Sequence, residues 1–189
     1  MRKYLVTTAI LLAVTLGGML AIDATAEEIT ETPALVVEDI VPPDQTAEAQ
    51  AWLAAKGIVV PEDIRWECEA AGLHYDLCPE LLEAIAWKES RFTPTAKNGS
   101  FVRLMQMHKG IHADRIAQFG VDPFDAHASI WAAASLLHDL SEKYAAEGEP
   151  VDVAVVIALY HGEDDAYTLS GYTRSILEVS EHLERAHGK

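Results

Sequence analysis

The sequence predicts an all-α domain, on three observations. Apolar residues recur at helical spacing in most segments between residues 45 and 187. Pro, Asp and Gly stand where such segments would start and stop. No stretch alternates apolar and polar residues as a half-buried strand would, and no internal repeat is present.

The elements follow in order. Asp44 is placed to cap a first helix running through Lys56 and stopped by Gly57. Pro61 opens a second, which carries Ile64, Trp66 and Cys68 and ends at Gly72. Pro79 opens a third, reaching Phe92, with Leu81, Leu82 and Ile85 on one stripe. Residues 93–100, Thr-Pro-Thr-Ala-Lys-Asn-Gly-Ser, are turn chemistry. A short helix is expected from about Ile111 to Phe119, stopped by Gly120. Asp125 caps a long one over Ala126–Tyr144, where Ile130, Ala133, Ala134, Leu137 and Leu140 recur at helical spacing. Asp152–Tyr160 is apolar all round, so that helix should be central. The last, about Tyr172–His187, is amphipathic through Ile176, Leu177, Val179 and Leu183.

The N-terminus stands apart from this domain. Arg2 and Lys3 precede an apolar run from Tyr4 to Ile22, and Ala24-Thr25-Ala26 has the small-residue spacing of a signal-peptidase site. Residues 1–26 read as a signal peptide or, because the run is long enough to span a bilayer, an N-terminal membrane anchor. Residues 27–44, rich in Glu, Thr and Pro, read as a linker, and 45–189 as the folded domain. Export and an extracytoplasmic location follow from this reading.

Formal net charge is −16, and removing residues 1–26 makes it one unit more negative. Such a surface repels phosphate backbones, so nucleic acid is not an expected partner. It leaves open the recognition of sugars by hydrogen bonding and stacking. Cys68 and Cys78 flank one helix-to-helix turn. In an exported chain they are candidates for a disulfide, the alternative being two buried thiols. His108 and His112 are four apart, but no third ligand stands at a recognised offset, so no metal or other cofactor is expected. Glu163-Asp164-Asp165 reads as a solvated loop rather than a calcium site, and Asp122 and Asp125 as turn and cap residues.

Glu89 is the exception that points to chemistry. One turn beyond Ile85, it occupies a place on the apolar stripe of its helix. Burial there and the nearby helix C-terminus both disfavour the carboxylate and hold its proton on, which suits a general acid near neutral pH.

Four pieces of sequence stand in order: Glu89-Ser90, Leu104-Met105-Gln106, the turn from Asp122 to Asp125, and Ala158-Leu159-Tyr160-His161-Gly162. Together, over about residues 61–187, they resemble the soluble lytic transglycosylase (SLT) domain of the lysozyme-like superfamily. The resemblance implies a lysozyme-like helical domain with a substrate cleft. It implies cleavage of peptidoglycan between N-acetylmuramic acid and N-acetylglucosamine to a 1,6-anhydro product, with Glu89 as the single acid and base. Ser90 would orient the substrate or the carboxylate, Met105 line the cleft, and Gln106 contact the sugars. Tyr160 would sit by Glu89 and stabilise developing charge. The partners implied are glycan strands, met by a monomer.

Two positions depart from the family pattern. Arg103 stands where Gly is expected, so it should be strained at positive φ or narrow the cleft, or else point outward and bind a stem-peptide carboxylate. His161 replaces Asn, keeping hydrogen bonding to the substrate but adding pH dependence. Two other functions remain in view. A goose-type lysozyme would need a second carboxylate, for which Asp164 or Asp165 are the candidates. A wall-binding module would have kept the cleft and lost turnover.

Overall fold

The computed structural model describes residues 43–120, 122, 124–146, 148 and 151–189. The expected signal or anchor and nearly all of the linker lie outside these residues. Seven helices and one three-stranded sheet are present among them.

Helix α1 (Pro43–Ala55) starts two residues earlier than a cap at Asp44 would give, so Asp44 lies in its first turn, where the helix dipole favours a carboxylate. Gly57 follows it at φ +68, the left-handed stop the sequence predicts. Ala49 and Leu53 are buried, and α1 packs on α7 with Trp52 stacked on His182, ring centroids 3.8 Å apart.

Helix α2 (Glu62–Tyr75) runs a turn beyond the expected stop at Gly72 and ends at Asp76, which takes the left-handed cap. Gly72 serves packing instead. A Cβ there would meet the Leu77 carbonyl oxygen at 2.8 Å and Pro79 Cγ at 3.0 Å, so the chain entering α3 crosses directly over it. Gly72→Ala should therefore lower stability by about 1–2 kcal/mol in urea unfolding, even though alanine is the better helix former. Ile64, Cys68 and Ala71 are buried, whereas Trp66 is 67% exposed.

Helix α3 (Pro79–Ser90), with proline at its start, is the centre of the fold and packs on α2, α5 and α7. The expected stripe of Leu81, Leu82 and Ile85 is buried, but so is every residue from Glu80 to Ala86. Two carboxyls are thus taken inside. Glu80 is bonded by His187 Nδ1 at 2.9 Å and Lys189 Nζ at 2.6 Å. Its burial alone would raise its pKa, but those hydrogen bonds outweigh burial and hold it at about 2. Neither oxygen of Glu83 has a partner among the described residues, and burial pushes its pKa up to about 7.

The disulfide expectation is corrected. Cys68 and Cys78 are free thiols. Cys68 is fully buried, and Cys78 Sγ lies within hydrogen-bond reach of Glu80 Oε2 at 3.3 Å and Glu184 Oε1 at 3.4 Å. Burial raises the pKa of both, that of Cys78 to about 12.

The segment after α3 holds the antiparallel sheet that sequence periodicity did not show: β1 (Lys97–Asn98), β2 (Phe101–Val102) and β3 (Met107–His108), in that order. Lys97 pairs with Val102, and Phe101 with His108. Strands of two residues are too short to alternate visibly. Helix α4 (Ala113–Ala117) is shorter than expected. Helix α5 (Ala126–Ala146) buries Ile130, Ala133, Ala134 and Leu137, and Asp125 Oδ1 accepts from the His127 N–H at 3.0 Å. Helix α6 (Val153–His161) is capped by Asp152 and buries residues 155–158. Helix α7 (Gly171–Ala186), capped by Ser170, buries Ile176, Val179 and Leu183. No helix among the described residues is long and apolar enough to cross a membrane.

Candidate active site

Glu89 is the last residue but one of α3, half-buried as its place beyond Ile85 predicts. The Tyr172 hydroxyl, in the first turn of α7, donates to Glu89 Oε1. Burial raises the Glu89 pKa above the ordinary carboxylic value. The Tyr172 hydrogen bond and the charges of His161 and Lys88 pull it back in part, without reversing the shift.

Behind Tyr172 stands His161, the last residue of α6. The two rings stack with centroids 3.7 Å apart and planes 11° from parallel. His161 Nδ1 lies 3.3 Å from Glu163 Oε1, which also accepts from the Ser170 hydroxyl at 2.7 Å. Since Ser170 caps α7, the same residue that starts the helix fixes the carboxylate beneath His161. Lys88 Nζ lies 5.7 Å from the centre of the Tyr172 ring. A line of contacts thus runs from the Glu89 carboxyl through two stacked rings to Glu163 and Ser170.

The Arg103–Gln106 loop joins β2 to β3 and is held in a strained form. Arg103 has φ +75 and Gln106 φ +45, both in the left-handed region. The positive φ expected of a residue in a glycine's place is present at Arg103. Its Nε and Nη1 are buried without a hydrogen-bond partner among the described residues. The Gln106 side-chain amide donates to the Arg103 carbonyl at 2.7 Å and to the Ala96 carbonyl at 3.2 Å, so it ties the loop to itself.

Several expected roles change accordingly. Met105 is fully buried and lines no cleft. Its N–H donates to Ser129 Oγ at 3.1 Å, and its carbonyl accepts from the Tyr160 hydroxyl at 2.7 Å. Tyr160 therefore anchors the loop. Burial first, then the nearby Glu89 charge, raises its pKa well above that of a free phenol. Ser90 donates to the Ala86 carbonyl and accepts from the Thr93 N–H, both at 3.1 Å, which closes the end of α3. Asp122 and Asp125 accept backbone N–H groups two residues on, as turn and cap residues do. His108 Nδ1 accepts from the N–H groups of Gly110 and Ile111, both at 3.2 Å.

A cleft of about 580 Å³ opens at the end of α3, but not at Glu89. Its walls are Lys56, Gly57, Val59, Pro61, Trp87, Arg91 and Phe92. Glu89, Tyr160 and Gln106 are not among the residues that line it. Sequence reasoning also missed Tyr172 and Glu163. Tyr172 begins an amphipathic helix 83 residues from Glu89, and nothing local in its surroundings marks it.

Compared with known proteins, residues 68–166 match the family described as Transglycosylase SLT domain. No curated protein and no solved structure gives a match. The matched stretch runs from the middle of α2 to the loop after α6 and includes Glu89, the Arg103–Gln106 loop and His161, while Tyr172 lies just beyond it. Over more than half of its length, then, and with a mostly helical fold beneath the match, this chain belongs to the transglycosylase SLT domain family, whose activity is of the lytic transglycosylase type on peptidoglycan.

Proposed function

We propose that the chain is an exported lytic transglycosylase in which Glu89 alone moves the proton. The carboxylic acid protonates the glycosidic oxygen between N-acetylmuramic acid and N-acetylglucosamine, and that C–O bond breaks through an oxocarbenium-like state. The muramoyl C6 hydroxyl then attacks the anomeric carbon. Its proton passes to the Glu89 carboxylate, which restores the acid and leaves a 1,6-anhydro sugar. No water is consumed.

One observation carries this reading: a half-buried carboxyl with a raised pKa, held by a tyrosine hydroxyl. The Tyr172 hydrogen bond favours the ionised form that follows protonation of the leaving group, so it helps most once the proton has gone. The stacked His161 and its Glu163 partner keep the Tyr172 ring in place. His161 thus braces the acid rather than contacting sugar, and Arg103, Gln106 and Tyr160 shape the loop beside it. Tyr172→Phe should lower kcat about tenfold, the worth of one hydrogen bond to a charged group. It should also raise the Glu89 pKa further, moving the alkaline limb of the rate profile to higher pH, which a pH–rate series would read.

Of the two carboxylates that the goose-type hydrolytic alternative could use, Asp165 is engaged within its own loop. Asp165 Oδ1 accepts from the Tyr167 N–H at 3.1 Å and Oδ2 from the Thr168 hydroxyl at 2.6 Å, so its carboxylate closes the loop. Mass spectrometry of the products from purified sacculi separates the two. Anhydromuramoyl ends support the proposal, and reducing ends would replace it with hydrolysis.

A further inference from the structure

A helix on a protein surface ordinarily turns its polar side outward. Helix α2 does not. Ile64, Cys68 and Ala71 form its buried side, and it packs on α3 and α5. At about 100° per residue, Trp66, Ala70 and Leu73 fall on the opposite side, within about 60° of one another. Trp66 is 67% exposed and Leu73 87%, and Ala70 is exposed between them. Single apolar residues scattered over a surface need no explanation, but a row at i, i+4 and i+7 has the spacing at which a second helix packs. Carboxylates flank the row. Glu62 and Glu69 stand about 40–60° from Trp66 on one side and Asp63 about 60° on the other. All three are exposed, and none has an ion-pair partner among the described residues. Arg65, the one lysine or arginine of α2, pairs with none of them.

We infer that this face docks a cationic amphipathic helix of a partner protein, its apolar side on Trp66, Ala70 and Leu73 and its lysines or arginines over Glu62, Asp63 and Glu69. Charge selects the occupant. A second copy would set the same carboxylates against each other, in a chain whose formal net charge is −16. Residues 27–42 of this chain carry Glu27, Glu28, Glu31, Glu38 and Asp39 and no lysine or arginine, so they are repelled as well. An anionic lipid surface is disfavoured for the same reason. Shape agrees with a helix. Ala70, small between two large side chains, leaves a hollow for a leucine knob, and axes about 8–10 Å apart bring flanking side chains within ion-pair reach. The row is about 10 Å long, which suits a weak, reversible contact. None of its residues belongs to the candidate active site, so the inference stands apart from the proposed function.

The test titrates the full chain, at physiological salt, into a fluorescein-labelled synthetic helix with leucines along one side and lysines along the other, read by anisotropy. The same helix with glutamate for lysine is the control. Saturable binding of the lysine helix is expected, with a Kd of about 10–100 μM, and at least about tenfold weaker binding of the glutamate helix. Trp66→Ser combined with Leu73→Ser should weaken binding at least about tenfold. Glu62→Gln combined with Glu69→Gln should weaken it about fivefold. Glu142→Gln combined with Glu178→Gln, on the exposed sides of α5 and α7, removes the same charge elsewhere and should change nothing. The glutamine pairs leave every apolar contact of α2 in place, so a loss there does not come from unfolding. Equal losses from the two glutamine pairs would mean attraction to overall charge alone. Binding indifferent to Trp66 and Leu73 would leave the row without a role. A dimer of the free chain in sedimentation, dissolved by the two serines, would make a second copy the occupant. Each of these results, like the absence of binding, would overturn the inference.

Discussion

Glu89→Gln abolishes wall cleavage, with a rate about 10³-fold below the wild type in turbidity loss of purified sacculi. The magnitude is that of removing a positioned general acid and base. Glutamine keeps the shape and can still accept from the Tyr172 hydroxyl through its amide oxygen, so the fold and the stacked His161 should persist. What it cannot do is deliver a proton to the glycosidic oxygen or take one from a C6 hydroxyl. An unchanged urea midpoint would show that folding is intact. Equal rates for variant and wild type would remove Glu89 from the mechanism and leave the Tyr172 contact without a catalytic meaning.

Glu83→Leu is the second large effect, and it lies in stability. The carboxyl is fully buried, and its pKa stands at about 7 against 4.5 unperturbed. The physical reason is loss of hydration, strengthened by Glu80 and only partly offset by the charges of His187, Arg65 and Lys189. Below pH 4.5 both folded and unfolded states hold the proton. Between 4.5 and 7 the unfolded chain releases it while the folded one keeps it, so stability falls as pH rises. Above 7 the loss is complete, about 3 kcal/mol for this shift. Leucine has no proton to release and removes this dependence. The variant should gain over the wild type by about 3 kcal/mol more at pH 8 than at pH 4, read from urea unfolding at both. A gain independent of pH would mean that Glu83 does not titrate with folding.

The contrast between Glu89 and Glu83 shows what the sequence could and could not reveal. Glu89 was legible because it interrupts an apolar stripe at helical spacing, and its half-burial follows from that position. Glu83 was not, because one stripe cannot tell that α3 is enclosed on α2, α5 and α7 at once. The other helices were legible through starts and stops such as Pro61, Asp125 and Gly57. Gly72 misled, since a glycine kept for close packing reads like a helix stop. The sheet was hidden because each strand has two residues. Met105, Gln106 and Ser90 were singled out by the motif order, but their contacts are internal, and the side chains that bear on Glu89 come from α6 and α7. Tyr172 reaches it only through the packing of α3 on α7, which local pattern does not encode. The free thiols have the same origin. Cys68 is sealed in the core while Cys78 faces Glu80 and Glu184, carboxyls set by helices far apart in sequence.

At the centre of the account is a single carboxyl that keeps its proton longer than an exposed glutamate does. Carbon-13 NMR of protein labelled at the glutamate side-chain carboxyl, with Glu89 assigned by its disappearance in Glu89→Gln, measures this directly. The account predicts a midpoint above 4.5 in the wild type and a further rise in Tyr172→Phe. A midpoint at or below 4.5, unmoved when the tyrosine hydroxyl is removed, would contradict it.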